Sequence, residues 1–163
     1  MGCRGVFFAI TADQSAAFEA AADDDALMEL VEEVEELWDG DHVAECDKSW
    51  DAMHRLLTDG RLEYGNGPEP LCHCVLGPNQ LYEGDDYIVS LVPPDKVKDV
   101  AAALSGVSKS WFDDRYRSIV PHDYAPEYGD EDREYTWEWF QGVRDLYKKA
   151  ADQNRAVLFT VDQ

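Results

Sequence analysis

Three short apolar segments constrain the fold of this chain more than any other feature. They cover residues 6–11, 86–92 and 156–161, so they lie near the start, in the middle and at the end of the sequence. Each is rich in β-branched and aromatic residues, a pattern typical of buried strands. The helical patterns between them do not alternate regularly with strands, which disfavours a doubly wound parallel sheet. We therefore predict one α+β domain over residues 1–163. Its small, mostly antiparallel sheet includes both terminal strands and packs with several helices.

The clearest helical signal lies at residues 27–38. Apolar residues recur there at intervals of three and four and form one stripe, made of Leu27, Leu30, Val31, Val34, Leu37 and Trp38. Three aspartates precede this segment and suit the N-terminus of a helix. Further helices are predicted over residues 13–22, 47–57, 94–105, 110–118 and 132–153, with a helical turn or two at 71–76 and loops at 58–70 and 121–130.

The chain is strongly acidic. It has 14 Lys and Arg against 35 Asp and Glu, which gives a formal net charge of -21. Phosphate binding needs clustered Lys and Arg, so this balance argues against nucleic acid and against an anionic membrane surface as partners. No segment approaches the roughly 18 apolar residues needed to span a bilayer, and no signal peptide is apparent. We therefore expect a cytoplasmic protein whose cysteines are free thiols.

Acidic residues are concentrated in the first third of the chain. Residues 5–47 contain 14 carboxylates and no Lys or Arg. The predicted helix at 27–38 carries several of them beside its apolar stripe, among them Glu29, Glu32, Glu33 and Glu36. Such a face can steer and bind a basic protein partner. The alternative is a solvated helix face that binds no partner.

A second candidate site lies in the predicted helix at 47–57. Asp51 precedes His54 by three residues and Trp50 precedes it by four, so all three share one side of the helix. In this arrangement Asp51 would orient the imidazole and Trp50 would form a wall of a ligand pocket. His54 and Asp51 are then candidate catalytic residues. The alternative is a histidine buried in the core, because it lies on the apolar face of the helix.

The segment Cys72-His73-Cys74 contains residue types that bind zinc. No second pair of ligands follows at the spacing of known zinc sites, and in a helix Cys72 and Cys74 would point about 200° apart. We therefore predict no metal and no cofactor. Cys72 and Cys74 are the candidate ligands if a metal does bind.

Two motifs resemble a known family. Residues 47–54 read D-K-S-W-D-A-M-H, and residues 70–77 read P-L-C-H-C-V-L-G. In this order and spacing they are similar to the YfbM-like bacterial proteins of unknown function. The resemblance implies a small α+β domain and a bacterial cytoplasmic protein, and it supplies no catalytic residues. It marks five candidate binding positions, Asp47, Lys48, Trp50, Asp51 and His54. Their spacing also suits a structural role, with Asp47 as the N-cap of a helix and Trp50 and His54 packed inward.

The sequence therefore supports two hypotheses of function. The first is a non-enzymatic module whose acidic face binds a basic protein partner, of the immunity or regulatory type. The second is a small-ligand-binding protein or enzyme with a pocket around His54 and Asp51. We favour the first hypothesis, because the charge asymmetry is a direct property of the chain. The sequence indicates no oligomeric state.

Overall fold

One antiparallel sheet organises the computed structural model, which describes residues 3–119 and 129–163. Its strands are β1 (Gly5–Ile10), β2 (Val43–Asp47), β3 (Asn79–Gln80), β4 (Tyr87–Val92) and β5 (Ala156–Asp162). They lie in the order β2-β1-β5-β4-β3, and every neighbouring pair is antiparallel. The two terminal strands β1 and β5 are therefore paired in the interior of the sheet. The predicted α+β fold, with a sheet that contains both terminal strands, is confirmed.

Within the described ranges the chain forms six α-helices. They are α1 (Ala12–Glu19), α2 (Asp24–Leu37), α3 (Trp50–Leu57), α4 (Pro94–Ser105), α5 (Lys109–Arg117) and α6 (Asp130–Asp152). Short 3₁₀ turns lie at Gly40–His42 and Leu71–His73. The second of these turns is where a helical turn is predicted. Most of the predicted loop at 121–130 lies outside the described residues, as do the first two residues of the chain.

Helices cover both faces of the sheet. On one face, the apolar core between the strands and helices α1 and α2 contains Phe8, Ile10, Val89, Leu91, Leu158, Phe18, Leu27, Val31 and Val34. On the other face, the core beneath helices α3 to α6 contains Phe7, Phe159, Met53, Phe112, Phe140 and Tyr147. Successive side chains of a strand point to opposite faces. The two layers of helices therefore explain why β1 and β5 are apolar at nearly every position.

Strand β2 at the edge of the sheet is absent from the sequence-based prediction. Ala44 and Cys46 point into the core, whereas Glu45 between them is exposed, so only part of the segment is apolar. The strand pairs with β1 and ends at Asp47, whose backbone has a positive φ of 48°. The prediction that Asp47 caps α3 is wrong. Ser49 occupies the N-cap position, and the helix begins at Trp50.

None of the helices in residues 3–119 and 129–163 is both long and apolar enough to cross a membrane.

Candidate functional site

The motif at 47–54 joins α3 to other parts of the fold. The Tyr135 hydroxyl of α6 donates to Asp47 Oδ2 at 2.5 Å and accepts the backbone N–H of Lys48 at 3.3 Å. Burial, together with this bond to Asp47, raises the pKa of Tyr135 to about 12. Trp50 is 5% exposed, and its Nε1–H donates to the Cys3 carbonyl at 2.9 Å. Three groups of the motif therefore hold the start of α3 against α6 and the N-terminal segment.

His54 lies in the core and holds the loop that follows α3. The residue is 1% exposed, and its Nε2 lies 2.7 Å from the Glu63 carbonyl oxygen and 3.0 Å from Asn66 Oδ1. The Asn66 amide nitrogen donates to Asp59 Oδ1 at 2.5 Å and to the Arg61 carbonyl at 2.9 Å. Because both of these partners are acceptors, the amide atom that faces His54 is the oxygen. Because both partners of Nε2 are acceptors, that nitrogen carries the proton.

Asp51 does not orient His54 as the helical spacing predicts. Its Oδ1 accepts from Arg55 Nε at 2.6 Å, one turn further along α3. Among the described residues the structure has no hydrogen bond between Asp51 and His54. Burial lowers the pKa of His54 below its usual 6.5, which favours the neutral imidazole at pH 7. The prediction that Asp51 contacts and orients His54 is therefore wrong. A catalytic role for the two residues stays a prediction.

Cys72 and Cys74 are buried around the second 3₁₀ turn. Tyr147 donates its hydroxyl to the Cys74 carbonyl at 2.6 Å, and burial raises the pKa of both thiols. Cys72 Sγ lies 3.7 Å from His73 Nδ1, while His73 Nε2 faces Glu69 Oε1 at 3.2 Å. In the part of the chain that the structure describes, no group of three or more His, Cys, Asp or Glu is placed to hold a metal ion.

The acidic stripe is the outer surface of α2 formed by Glu29, Glu32, Glu33 and Glu36. All four side chains are exposed, while the opposite side of the helix packs on the sheet. Within residues 3–119 and 129–163, none of the four takes part in an ion pair. Glu35 differs from them, because its Oε1 accepts the Tyr87 hydroxyl of β4 at 2.8 Å. Glu35 thus anchors the helix to the sheet, and the acidic stripe faces solvent.

An exposed apolar pair lies at the C-terminal end of this stripe. Leu37 is 67% exposed and Trp38 is 42% exposed, and they are the only large hydrophobic side chains exposed among the described residues. The sequence-based prediction of Leu37 and Trp38 as part of the apolar stripe is wrong. The buried side of α2 ends at Val34, and Trp38 is a left-handed C-cap whose ring packs edge-on against Phe8 at 5.8 Å. The sequence carries no signal for this difference, because both residues continue the apolar periodicity of the helix.

A cavity of about 140 Å³ adjoins the exposed pair. Its apolar lining includes Phe8, Ile10, Val34, Leu37 and Val43. Asp39 and His42 also line it, and His42 Nδ1 lies 2.7 Å from Asp39 Oδ2. His42 Nε2 lies 2.8 Å from Gln153 Oε1, so the turn after α2 is tied to the end of α6. The hydrogen bond from His42 lowers the pKa of Asp39, which favours its charged form.

Comparison with known proteins identifies the family. The family model described as "Domain of unknown function (DUF1877)" matches residues 1–160. The chain belongs to the DUF1877 family. Its fold is similar to that in the crystal structure of a protein of unknown function, YfbM, from Escherichia coli. That structure has a TM-score of 0.64 at 18% sequence identity, covering 97% of this chain and 99% of the other. At this identity the similarity shows the fold alone. No curated protein matches the chain. The resemblance to the YfbM-like family is thus confirmed, and this DUF1877 chain inherits no activity from it.

Proposed function

We propose that this DUF1877 protein is a non-enzymatic interaction module whose acidic stripe binds a basic protein partner. The observation that carries the proposal is that the four stripe carboxylates are exposed without an ion pair among the described residues. They belong to a segment, residues 5–47, that has no Lys or Arg. A basic toxin that the protein neutralises, or a basic regulatory protein, fits this description.

The spacing of the stripe supports the proposal. Glu32, Glu33 and Glu36 follow Glu29 by three, four and seven residues, so the four side chains are neighbours on the helix surface. Like charges at this spacing destabilise a helix by a few tenths of a kcal/mol per pair. A partner that places Lys or Arg opposite them relieves this repulsion and is also attracted from a distance. The same residues therefore contribute to both the affinity and the rate of association.

The packing of α2 supports it as well. The inner side of the helix is buried against β1, β4 and β5, and the bond from Tyr87 to Glu35 links it to the sheet. The stripe is therefore presented by a helix that is already ordered, which lowers the conformational cost of binding. The alternative site around His54 and Asp51 has no comparable support, because His54 is 1% exposed and Asp51 binds Arg55.

The test compares two variants that change the net charge equally. One replaces the four glutamates of the acidic stripe with glutamine. The control neutralises four exposed carboxylates of α4 and α6, on the other side of the sheet, with D99N, E138Q, D145N and D152N. Each protein is used to capture partners at low salt from a lysate of its native cells, and the association rate with the recovered protein is then measured.

We expect a basic protein that the control variant retains and the stripe variant loses. The association rate should fall about tenfold or more in the stripe variant at low salt, and the difference should shrink as salt is added. If the two variants bind the recovered protein equally, the acidic stripe is not the binding surface and the proposal is wrong.

A further inference from the structure

We infer that the acidic stripe continues into an apolar anchor site that accepts one bulky aliphatic side chain of a basic polypeptide. The anchor site consists of Leu37, Trp38 and the cavity of about 140 Å³ beside them. This inference rests on the proposed function and specifies the chemistry of its partner. It requires lysine or arginine opposite the stripe and a leucine, isoleucine or methionine next to those residues.

Exposure of the pair is the first argument. Single exposed hydrophobic residues are common on protein surfaces and need no explanation. Here two large ones are adjacent, and no others are exposed in the described residues. Tryptophan is enriched among the residues that dominate binding energy at interfaces. The edge-on contact with Phe8 at 5.8 Å positions the Trp38 indole before any partner arrives.

The cavity supplies the second argument. Leu37 lines it and is itself 67% exposed, so the cavity reaches the surface beside Leu37. Its other apolar lining includes Phe8, Ile10, Val34 and Val43, from β1, α2 and β2, and Thr11 and Gln14 add polar groups at the start of α1. A volume of about 140 Å³ is close to that of an engineered apolar cavity that holds one benzene molecule. One aliphatic side chain therefore fits, whereas a larger apolar segment does not.

Charge around the cavity determines which polypeptide can bring that side chain. Asp39 lines the cavity, and its bond with His42 favours the ionised carboxylate. Glu36 lies one residue before Leu37 and continues the line of negative charge up the helix. Arg155 also lines the cavity, and its Nη1 donates to the Ala9 carbonyl at 3.1 Å. The carboxylates of Glu36 and Asp39 outnumber this one arginine, so the charge around the exposed pair favours an apolar side chain flanked by Lys or Arg.

The test uses two synthetic peptides of equal length and charge. Each carries one lysine for every glutamate of the acidic stripe among alanines, and they differ only in a leucine or an alanine beside the lysines. Binding to the full-length protein is measured by calorimetry at low salt. We expect the leucine peptide to bind about tenfold or more tightly than the alanine peptide, as burial of one such side chain predicts.

The decisive variant combines L37S with W38G. Both side chains are exposed, and glycine suits the left-handed backbone at position 38, where φ is 39°, so the variant should fold. It should bind both peptides equally and still respond to salt. L37S alone gives the same comparison if the double variant does not fold.

Each alternative result identifies which idea fails. If the wild type binds both peptides equally in a salt-dependent way, the anchor site is wrong and the acidic stripe stands. If the leucine preference survives in L37S/W38G, the side chain docks elsewhere and the inference is wrong. If neither peptide binds, the anchor inference is wrong, while the lysate experiment still tests the stripe. If the wild type self-associates in sedimentation and L37S/W38G does not, a second copy covers the pair and the inference is also wrong.

Discussion

His54 and Glu63 are joined by a hydrogen bond of 2.7 Å between the imidazole Nε2 and the backbone carbonyl oxygen. Residues 58–70, which include Glu63, form neither helix nor strand, so their backbone groups need partners other than a ladder of regular bonds. The buried histidine supplies one of these partners and also binds Asn66, which makes three further contacts within the same loop. The histidine of the family-like motif thus organises a loop from inside the core.

We therefore expect His54→Ala to destabilise the protein by about 2 to 4 kcal/mol, because it leaves a cavity and an unpaired carbonyl. Urea unfolding followed by circular dichroism measures the change. Lys48→Ala, in the same motif, is the control. Its side chain is exposed, so the free energy of unfolding should change by less than about 0.5 kcal/mol. Equal stability of the two variants would contradict the role assigned to His54.

The stability of the protein should also depend on the protonation of His54. Burial lowers its pKa in the folded protein below the 6.5 of an exposed histidine. Between these two pKa values the unfolded chain binds more protons than the folded protein, so the free energy of unfolding rises with pH. The contribution of the neutral His54 to the free energy of unfolding is fully present above pH 6.5. It is lost as the pH falls through the folded-state pKa of His54.

Urea unfolding at a series of pH values from 7.5 down to about 5 tests this dependence in the range where histidine titrates. The matched control is His54→Gln, which removes the titrating group and keeps a hydrogen-bond donor. Its unfolding free energy should vary less over this interval than that of the wild type. Parallel profiles for the two proteins would assign the pH dependence to other groups.

A pair of glycines provides a test of the packing around β1. A Cβ atom on Gly5 would lie 2.8 Å from Cys46 Sγ and 2.8 Å from the Phe159 ring, both in the core. Gly5→Ala should therefore destabilise the protein by about 1 to 3 kcal/mol. Gly142 lies within α6 with nothing within 4 Å of its Cβ position. Gly142→Ala should instead stabilise the helix by about 0.5 to 1 kcal/mol. Thermal unfolding of both variants measures these opposite changes in stability. A Gly5→Ala variant more stable than the wild type would show that β1 leaves room for a methyl group beside Cys46 and Phe159.

Repulsion among the four glutamates of the acidic stripe should lower the free energy of unfolding of the protein. Replacing its four glutamates with glutamine removes like-charge repulsion, so we expect a higher melting temperature at low salt and a smaller gain at high salt. Glu35→Ala is the control on the same helix. It should lower the free energy of unfolding by about 1 kcal/mol, because the Tyr87 hydroxyl loses its acceptor. A stripe variant less stable than the wild type would mean that these carboxylates contribute to folding.

The three strands predicted from apolar runs agree with β1, β4 and β5 to within about one residue, because strands buried on both faces are apolar at both alternating sets of positions. The edge strand β2 escaped detection because Glu45 faces solvent between two buried residues. Asp51 illustrates a different limit. At helical spacing it can reach both His54 and Arg55, and the sequence contains no signal that decides between them. In the folded protein Arg55 takes the carboxylate, and His54 turns to the loop.

Composition and periodicity alone determined the α+β class and the position of the strands that form the middle of the sheet. Both follow from the pattern of apolar residues within each segment, which is a local property of the sequence. The exclusion of polyanions as partners, which follows from the net charge, stays a prediction. Tertiary structure alone decided that Leu37 and Trp38 lie outside the core. A helix pattern shows which residues share a side, but the extent of the surface beneath it depends on strands distant in sequence. Here the packed side of α2 ends at Val34, so the last turn of the apolar stripe is left in solvent beside the acidic residues.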